Sequence, residues 1–194
     1  MSTQSDTSSK VILLGDSSVG KSSIVYQLYK KQFKELNEPT IGTSYISHTF
    51  VTSNGSFVLH IWDTAGQERY RSIIPMYSRD CAASIFVFSI DMPESFENLP
   101  MWFEMLELKC GQTSKKYVVA NKIDLDQNSP LIENAKTFCE DRGCPFFATS
   151  AKDHTSVLAL FQSIANDLSN EIAIAKKSES LDININQEKK TCCK

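Results

Sequence analysis

The sequence predicts an α/β fold: a six-stranded, mostly parallel sheet with helices on both faces. Three observations carry that expectation. Short apolar runs alternate with stretches of helical periodicity along the 194 residues, two neighbouring runs are joined by Ser53-Asn54-Gly55, and a glycine-rich turn separates the first run from the first helix.

Taken in order, Val11-Ile12-Leu13-Leu14 reads as a buried strand, and residues 23–31 read as a helix with Ile24, Leu28 and Tyr29 at helical spacing. Residues 33–42 are polar and irregular. Residues 44–52 and 56–63 form a hairpin about the Asn-Gly pair, with Phe57, Leu59 and Ile61 alternating toward the core and the second strand stopping at Asp63. Residues 82–90 form the next buried strand. Phe96, Leu99, Phe103 and Leu106 give residues 93–109 a helical period, which Pro100 divides in two. Residues 117–120 are a fifth strand ending at Asn121, and residues 130–142 a helix with Pro130 at its start and Gly143 beyond its end. Residues 145–149 are the sixth strand. Val157, Phe161, Ile164, Leu168 and Ile172 make one stripe of a long last helix. From about residue 177 the periodicity stops, so the reading is one domain over 9–176, a flexible N-terminus over 1–8 and a flexible polar tail over 177–194.

Composition narrows the classes. An apolar share of 41%, a charged share of 22% and a net charge of −3 describe a soluble globular chain and argue against nucleic acid as its main partner. No stretch reaches the length of a membrane span, and the Ser/Thr-rich start lacks the apolar core of a secretion signal, so a cytosolic protein is expected. Cys81, Cys110, Cys139 and Cys144 are scattered, which predicts reduced thiols. Cys139 and Cys144 have no histidine near them to complete a metal site.

Chemistry concentrates at strand ends. Gly15-Asp16-Ser17-Ser18-Val19-Gly20-Lys21-Ser22 has the spacing of a phosphate loop, placed between a buried strand and a helix as that loop requires. Glycines at both ends let successive N–H groups of Ser17, Ser18, Val19, Gly20, Lys21, Ser22 and Ser23 turn around an anion at the positive end of the helix. Lys21 is placed to reach the outer phosphates, and Ser22 supplies a hard oxygen for Mg2+. Gly15, Asp63, Asn121 and Ser150 all fall at carboxyl ends of strands, where such sheets bind ligands. Asp124 suits guanine: its carboxylate can accept from the ring N–H and the exocyclic amine, a donor pair that adenine lacks on that edge. Taken alone, Asn121 and Asp124 have a lesser alternative as a turn or capping pair.

Trp62-Asp63-Thr64-Ala65-Gly66-Gln67-Glu68, Asn121-Lys122-Ile123-Asp124 and Ser150-Ala151-Lys152 follow the loop in order, and together the four motifs resemble the small GTPases of the Ras superfamily over about residues 9–176. The resemblance implies a P-loop NTPase small G domain that binds GTP or GDP with Mg2+ and hydrolyses GTP. By it, Asn121 contacts the acceptor side of the base, Lys122 lays its stem over the loop and ring, Phe33 lies edge-on to the base, and Ala151 offers its N–H to the guanine carbonyl, flanked by Ser150 and Lys152. Asp63 orients the metal through a water, Thr40 reaches both metal and terminal phosphate, and Gly66 brings its N–H to that phosphate. Residues 39–44 and 66–77 would then be ordered by the triphosphate and released after hydrolysis. Gln67 orients the attacking water, with Lys21 and Thr40 completing the catalytic set. No arginine stands where it would supply the missing charge, so slow intrinsic turnover and a GTPase-activating partner are expected. Two other readings are a guanine-nucleotide-dependent scaffold that does not hydrolyse, against which Gln67 and Thr40 weigh, and a P-loop kinase or ATPase, for which no lid or second substrate site is evident.

Within the superfamily the chain is most similar to Rab proteins, and to their endosomal branch, through Thr40-Ile41-Gly42-Thr43-Ser44-Tyr45, Arg69-Tyr70-Arg71-Ser72-Ile73 and Pro75-Met76-Tyr77. Tyr45, Trp62 and Tyr77 correspond to the aromatic triad through which Rabs meet effectors. Ala120 before Asn121, the run 76–80 and Leu36 depart from the family pattern. The ending Thr191-Cys192-Cys193-Lys194 resembles the paired-cysteine Rab terminus rather than a four-residue prenylation box, which implies geranylgeranyl groups on Cys192 and Cys193. The resemblance further implies an exchange factor, a GDP-dissociation inhibitor, a prenylation escort and effectors as partners, a monomeric G domain, a role in vesicle traffic, and reversible attachment to the cytosolic face of endosomal membranes.

Overall fold

Alternation along the first strand sets the layers. In β1 (Thr7–Leu14), Val11 and Leu13 point to one face of the sheet and Ile12 and Leu14 to the other, and all four are fully buried. A strand covered on both faces reads as a continuous apolar run, which is why no alternation shows in its sequence. This is a computed structural model; it describes residues 7–35, 40–66, 74–110 and 114–190.

β1 lies between β3 (Gly55–Thr64) and β4 (Ala83–Ser89), parallel to both, and β5 (Lys115–Asn121) and β6 (Phe146–Ala148) extend the sheet in parallel beyond β4. β2 (Thr43–Thr52) joins antiparallel to β3, giving the order β2-β3-β1-β4-β5-β6. This is the six-stranded, mostly parallel sheet the sequence predicts, with its second strand added through a hairpin. The hairpin tip is tied to the last helix: Thr52 and Ser169 share a 2.9 Å hydroxyl contact, and Asn54 donates to Asn170 Oδ1 at 2.7 Å.

α1 (Lys21–Lys30) and α6 (His154–Lys190) cover one face, where Ile24 and Leu28 meet Phe161 and Ile164. The other face carries α2 (Ile74–Ser78), α3 (Pro93–Glu97), α4 (Leu99–Cys110) and α5 (Pro130–Arg142), whose core includes Trp102, Phe103 and Leu106. Parallel strands expose their carboxyl ends along one edge, so the loops after β1, β3, β5 and β6 converge there.

The expected helix over 93–109 breaks at Asn98. Pro100 occupies the first turn of α4, where its missing N–H costs no helical bond. Gly143 closes α5 in the left-handed region, as its position beyond Arg142 predicts. Tyr29 departs from the reading. Ile24 and Leu28 are buried four residues apart, but Tyr29 sits one position round the helix, half exposed under the Lys30 ammonium at 4.3 Å. α2 was not read from sequence, being five residues long and containing Pro75.

Two elements run past the residues read for them. β1 begins at Thr7 rather than after residue 8, because β3 extends back to the hairpin and pairs Thr7 with Phe57. α6 continues to Lys190, past the expected end near 176, since residues 154–190 contain neither Gly nor Pro to stop it. Ile172 still touches the core, whereas Ile174 is largely exposed. Among the described residues no helix is long and apolar enough to cross a membrane, and Cys139 and Cys144 are in the reduced thiol form, as their spacing predicts.

Candidate functional site

Six residues separate the end of β1 from the start of α1, and they wind around the N-terminus of the helix. Ser18 takes a left-handed conformation with φ 64°, uncommon for a residue with a side chain. Gly20, the N-cap, has φ 94°, and a Cβ there would stand 2.3 Å from Asn121 Nδ2. Only glycine fits that contact and that dihedral. Lys21 follows, 5% exposed, with its Nζ donating to the carbonyls of Gly15 at 2.8 Å and Asp16 at 2.6 Å. Burial pulls its pKa down to about 8, against the opposing charges of Asp63 and Asp16. A buried ammonium held by neutral carbonyls is suited to meet an anion.

These residues line one end of a cleft of about 400 Å3, within the range of small-molecule sites. Ser17, Ser18, Gly20, Lys21, Ser22 and Ser23 form its floor, Phe33, Thr40 and Gly66 one wall, and Asn121, Lys122, Asp124, Ala151 and Lys152 the far end. Val19 and Ser150 stand behind it, buried. The cleft is also lined by Lys34, Glu35, Thr64 and Leu125, which sequence reasoning did not single out. Leu125, directly after Asp124 and 57% exposed, was the one with a legible signal, an apolar side chain left outside the core.

A second cluster lies beside Lys21. Ser22 Oγ and Thr40 Oγ1 are 2.6 Å apart, and Ser44 donates to Asp63 Oδ2 at 3.5 Å. Asp63 is buried, and its Oδ1 has no hydrogen-bond partner. Burial raises its pKa, opposed by hydrogen bonds from Ser22, Ser44 and Thr40 and by the charge of Lys21. An orphaned buried carboxylate oxygen beside two hydroxyls is an incomplete set of hard donors, and it suits Mg2+, which takes few protein ligands and keeps its waters. Among the described residues no group of three or more His, Cys, Asp or Glu could hold a metal ion.

Gly66 closes the wall over the loop. A Cβ on it would lie 2.4 Å from the backbone of Asp16 and 2.5 Å from Lys21 Nζ, so the close approach itself demands glycine. Gln67 lies outside the described residues, as do Pro39, Leu36, residues 69–73, Cys192 and Cys193.

At the far end Asn121 is fully buried and spends its amide on protein partners. Nδ2 donates to Val19 O at 2.8 Å, and Oδ1 accepts from Ala151 N at 3.2 Å and Thr149 Oγ1 at 3.4 Å. The Ala151 N–H expected to face a base carbonyl is therefore engaged by Asn121. Lys122 has φ 63°, and its Nζ reaches Asp91 Oδ2 at 3.0 Å. Asp124 accepts from Ser150 Oγ at 2.6 Å and pairs with Lys152 Nζ at 3.0 Å. Burial works to raise the pKa of Asp124, but the bonds from Ser150 and Lys152 and the Lys152 charge prevail and hold it below the ordinary carboxylate value. The Lys152 ammonium also stands 5.6 Å over the ring of Phe33. A flat ring with two adjacent donors would meet here the Phe33 side chain and an ionised carboxylate.

The three aromatic residues expected at an effector face are in contact. Tyr45 is opposite Trp62 in the β2–β3 register, with ring centroids 5.3 Å apart, and Trp62 is 5.4 Å from Tyr77. Tyr45 is half exposed, with its hydroxyl 2.7 Å from His60 Nδ1. Lys10 Nζ lies 5.3 Å over Trp62. His60 and Lys10 carried no motif and were not foreseen.

Comparison with known proteins agrees with this arrangement. A model of the Ras family matches residues 10–170. The Ras-related protein RABF2b of Arabidopsis thaliana is 41% identical over 160 residues, covering 82% of this chain and 80% of its own length. The Ras-related protein Rab5 of Nicotiana tabacum is also 41% identical, over the same shares. The GTP-binding protein ypt5 of Schizosaccharomyces pombe is 40% identical over 162 residues, 82% of this chain and 77% of its own. With one model spanning most of the chain and such relatives covering four fifths of it, the chain belongs to the Ras family, as a Rab-type small GTPase.

Proposed function

We propose that this chain is a timing switch of vesicle traffic, bound to GTP and Mg2+ while it engages effectors on a membrane and to GDP otherwise. The observation that carries the reading is the continuity of one cleft from Lys21, Ser22, Thr40 and Gly66 to Asn121, Asp124 and Lys152. One end offers what a phosphate chain needs, the other what guanine needs.

In this reading Lys21 and the N–H groups of the loop hold the phosphates, and Asp124 accepts from the guanine ring N–H and amine. Asn121 acts chiefly as a clamp between the loop and the base end, which the partners of its amide support. Ser22, Thr40 and Asp63 would hold Mg2+, which neutralises phosphate charge when bound. Thr40 and Gly66 sense the terminal phosphate, and Gln67 orients the attacking water. The transition-state charge is completed by an activating partner.

Tyr45, Trp62 and Tyr77 form the effector face in this proposal, supported by their mutual contact and partial exposure. An exchange factor, a GDP-dissociation inhibitor and a prenylation escort complete the cycle. Prenylation at Cys192 and Cys193 ties a monomeric G domain to the cytosolic face of an endosomal membrane, a location supported by relatives that bear the name Rab5.

The test is to identify the nucleotide released from purified protein and to measure GTP turnover with and without Mg2+. Guanine nucleotide and slow Mg2+-dependent hydrolysis are expected. Bound adenine nucleotide, or indifference to GTP, would overturn the reading, and binding without turnover would favour a scaffold.

A further inference from the structure

We propose that Asn98 and Trp102 are positioning residues for the phosphate loop, acting through the carboxylate of Asp16. The proposal rests on the nucleotide reading of the cleft and adds a support that none of the four motifs contains.

Asp16 is the second residue of the loop, yet its carboxylate is held from outside the cleft. Trp102 Nε1 donates to Asp16 Oδ1 at 2.8 Å, and Asn98 Nδ2 donates to Oδ2 at 2.7 Å. Each oxygen takes one donor, so both ends of the carboxylate are fixed. The donors come from the break between α3 and α4: Asn98 is the junction residue, and Trp102 lies four residues on, along the same helix face. Trp102 is fully buried, so its ring has one place to be, and its N–H, a donor only, needs the acceptor that Asp16 supplies.

The main chain of Asp16 shows why this matters. Its carbonyl accepts Lys21 Nζ at 2.6 Å, and the same carbonyl is the surface against which Gly66 closes, with a hypothetical Cβ only 2.4 Å away. A side chain pinned at both oxygens restrains the peptide that carries this carbonyl. Trp102 and Asn98 thereby set where Lys21 is held and how near Gly66 can come. They also keep a carboxylate turned from a cleft built for anions, where its charge would repel phosphate. A purely structural role would instead satisfy a buried indole and leave the loop indifferent to its loss.

The experiment uses the full chain loaded with fluorescent N-methylanthraniloyl-GDP, following release rate and single-turnover GTP hydrolysis. Trp102→Phe keeps the ring and removes the donor. Asn98→Ala, at a half-buried junction, removes the other donor with little risk to folding. Each should speed GDP release about tenfold, the scale of one hydrogen bond to a charged acceptor, and slow hydrolysis. The preference for GDP over IDP should not change, because the base end is untouched. Asp16→Asn combined with Trp102→Phe should release no faster than Asp16→Asn alone, as expected of groups acting as one unit. Phe103→Leu is the matched control: it loosens the same helix, where Phe103 stacks on Phe86 at 3.9 Å, without touching Asp16. It should lower the melting temperature and leave release unchanged. Wild-type release from both donor variants, full additivity in the double variant, or equal acceleration by Phe103→Leu would overturn the proposal. Failure of the unsubstituted protein to bind the guanine probe would overturn the reading of the cleft, and the proposal with it.

Discussion

Asn121 joins the two ends of the cleft, donating to Val19 O at 2.8 Å across 102 residues of sequence while accepting from the Ala151 N–H. Replacing it by Ala leaves a buried carbonyl and a buried N–H without partners, at about 1–3 kcal/mol. A domain of this size should lose about 2–4 °C in melting temperature per kcal/mol. Asn121→Ala is therefore expected to melt several degrees lower and to release GDP at least about tenfold faster, since loop and base end lose their tie. Scanning fluorimetry and a release assay measure both, and a variant that melts lower with unchanged release would show that the tie is structural alone.

Lys21 gives a stability prediction with a definite sign. Burial lowers its pKa from 10.5 to about 8. The folded state therefore binds fewer protons than the unfolded state between those values, so the cost of the buried charge is fully present below pH 8 and fades as pH rises to about 10.5. The gap corresponds to as much as about 3 kcal/mol. In nucleotide-free protein Lys21→Met should be the more stable form at pH 7, by up to that amount, with the advantage shrinking toward pH 10. Urea titrations of both proteins at pH 7 and pH 10 decide it. A difference that does not change with pH contradicts the account.

Gly66→Ala tests the closing wall. Its Cβ would meet backbone atoms of Asp16 at 2.4 Å, which cannot swing aside as a side chain can. Forcing that approach costs about 1–3 kcal/mol, so the closed arrangement over the terminal phosphate should be lost while GDP, which needs no such closure, still binds within about threefold of wild type. Single-turnover hydrolysis should fall at least about tenfold. Equal loss of GDP and GTP binding would mean that Gly66 supports the loop in every state.

What the sequence could disclose follows from the range of each interaction. The phosphate loop is local: its glycines, Lys21 and Ser22 stand within eight residues and between a strand and a helix, so spacing and context sufficed. The hairpin was legible through Asn-Gly, and the parallel sheet through alternating runs. Asp16, Asn98 and Trp102 were illegible as a unit because 82 residues separate Asp16 from its nearest partner, and each residue alone looks like an ordinary polar or core position. The role of Asn121 as a tie was equally hidden, since only the fold brings Val19 and Ala151 to its amide. The length of α6 was misjudged for a different reason. Loss of an apolar stripe signals the end of packing, not the end of the helix, when no Gly or Pro intervenes.

Deleting residues 177–194 separates those two ends. The described core stripe of α6 reaches Ile172, and Ile174 is already exposed, so removing residues 177–194 leaves that stripe intact. A change that spares the packed stripe typically shifts stability within about 0.5 kcal/mol, which for this domain is about 2 °C or less. The truncated protein should keep its melting temperature and its GDP release rate. Without Cys192 and Cys193 it should also remain in the soluble fraction of its native host, whereas the full chain, if lipidated as proposed at both cysteines, should partition to membranes. Fractionation and scanning fluorimetry measure the two outcomes independently. A fall of several degrees would show that the helix beyond 176 belongs to the folded domain, and equal membrane recovery of both forms would remove the case for a lipid anchor at the paired cysteines.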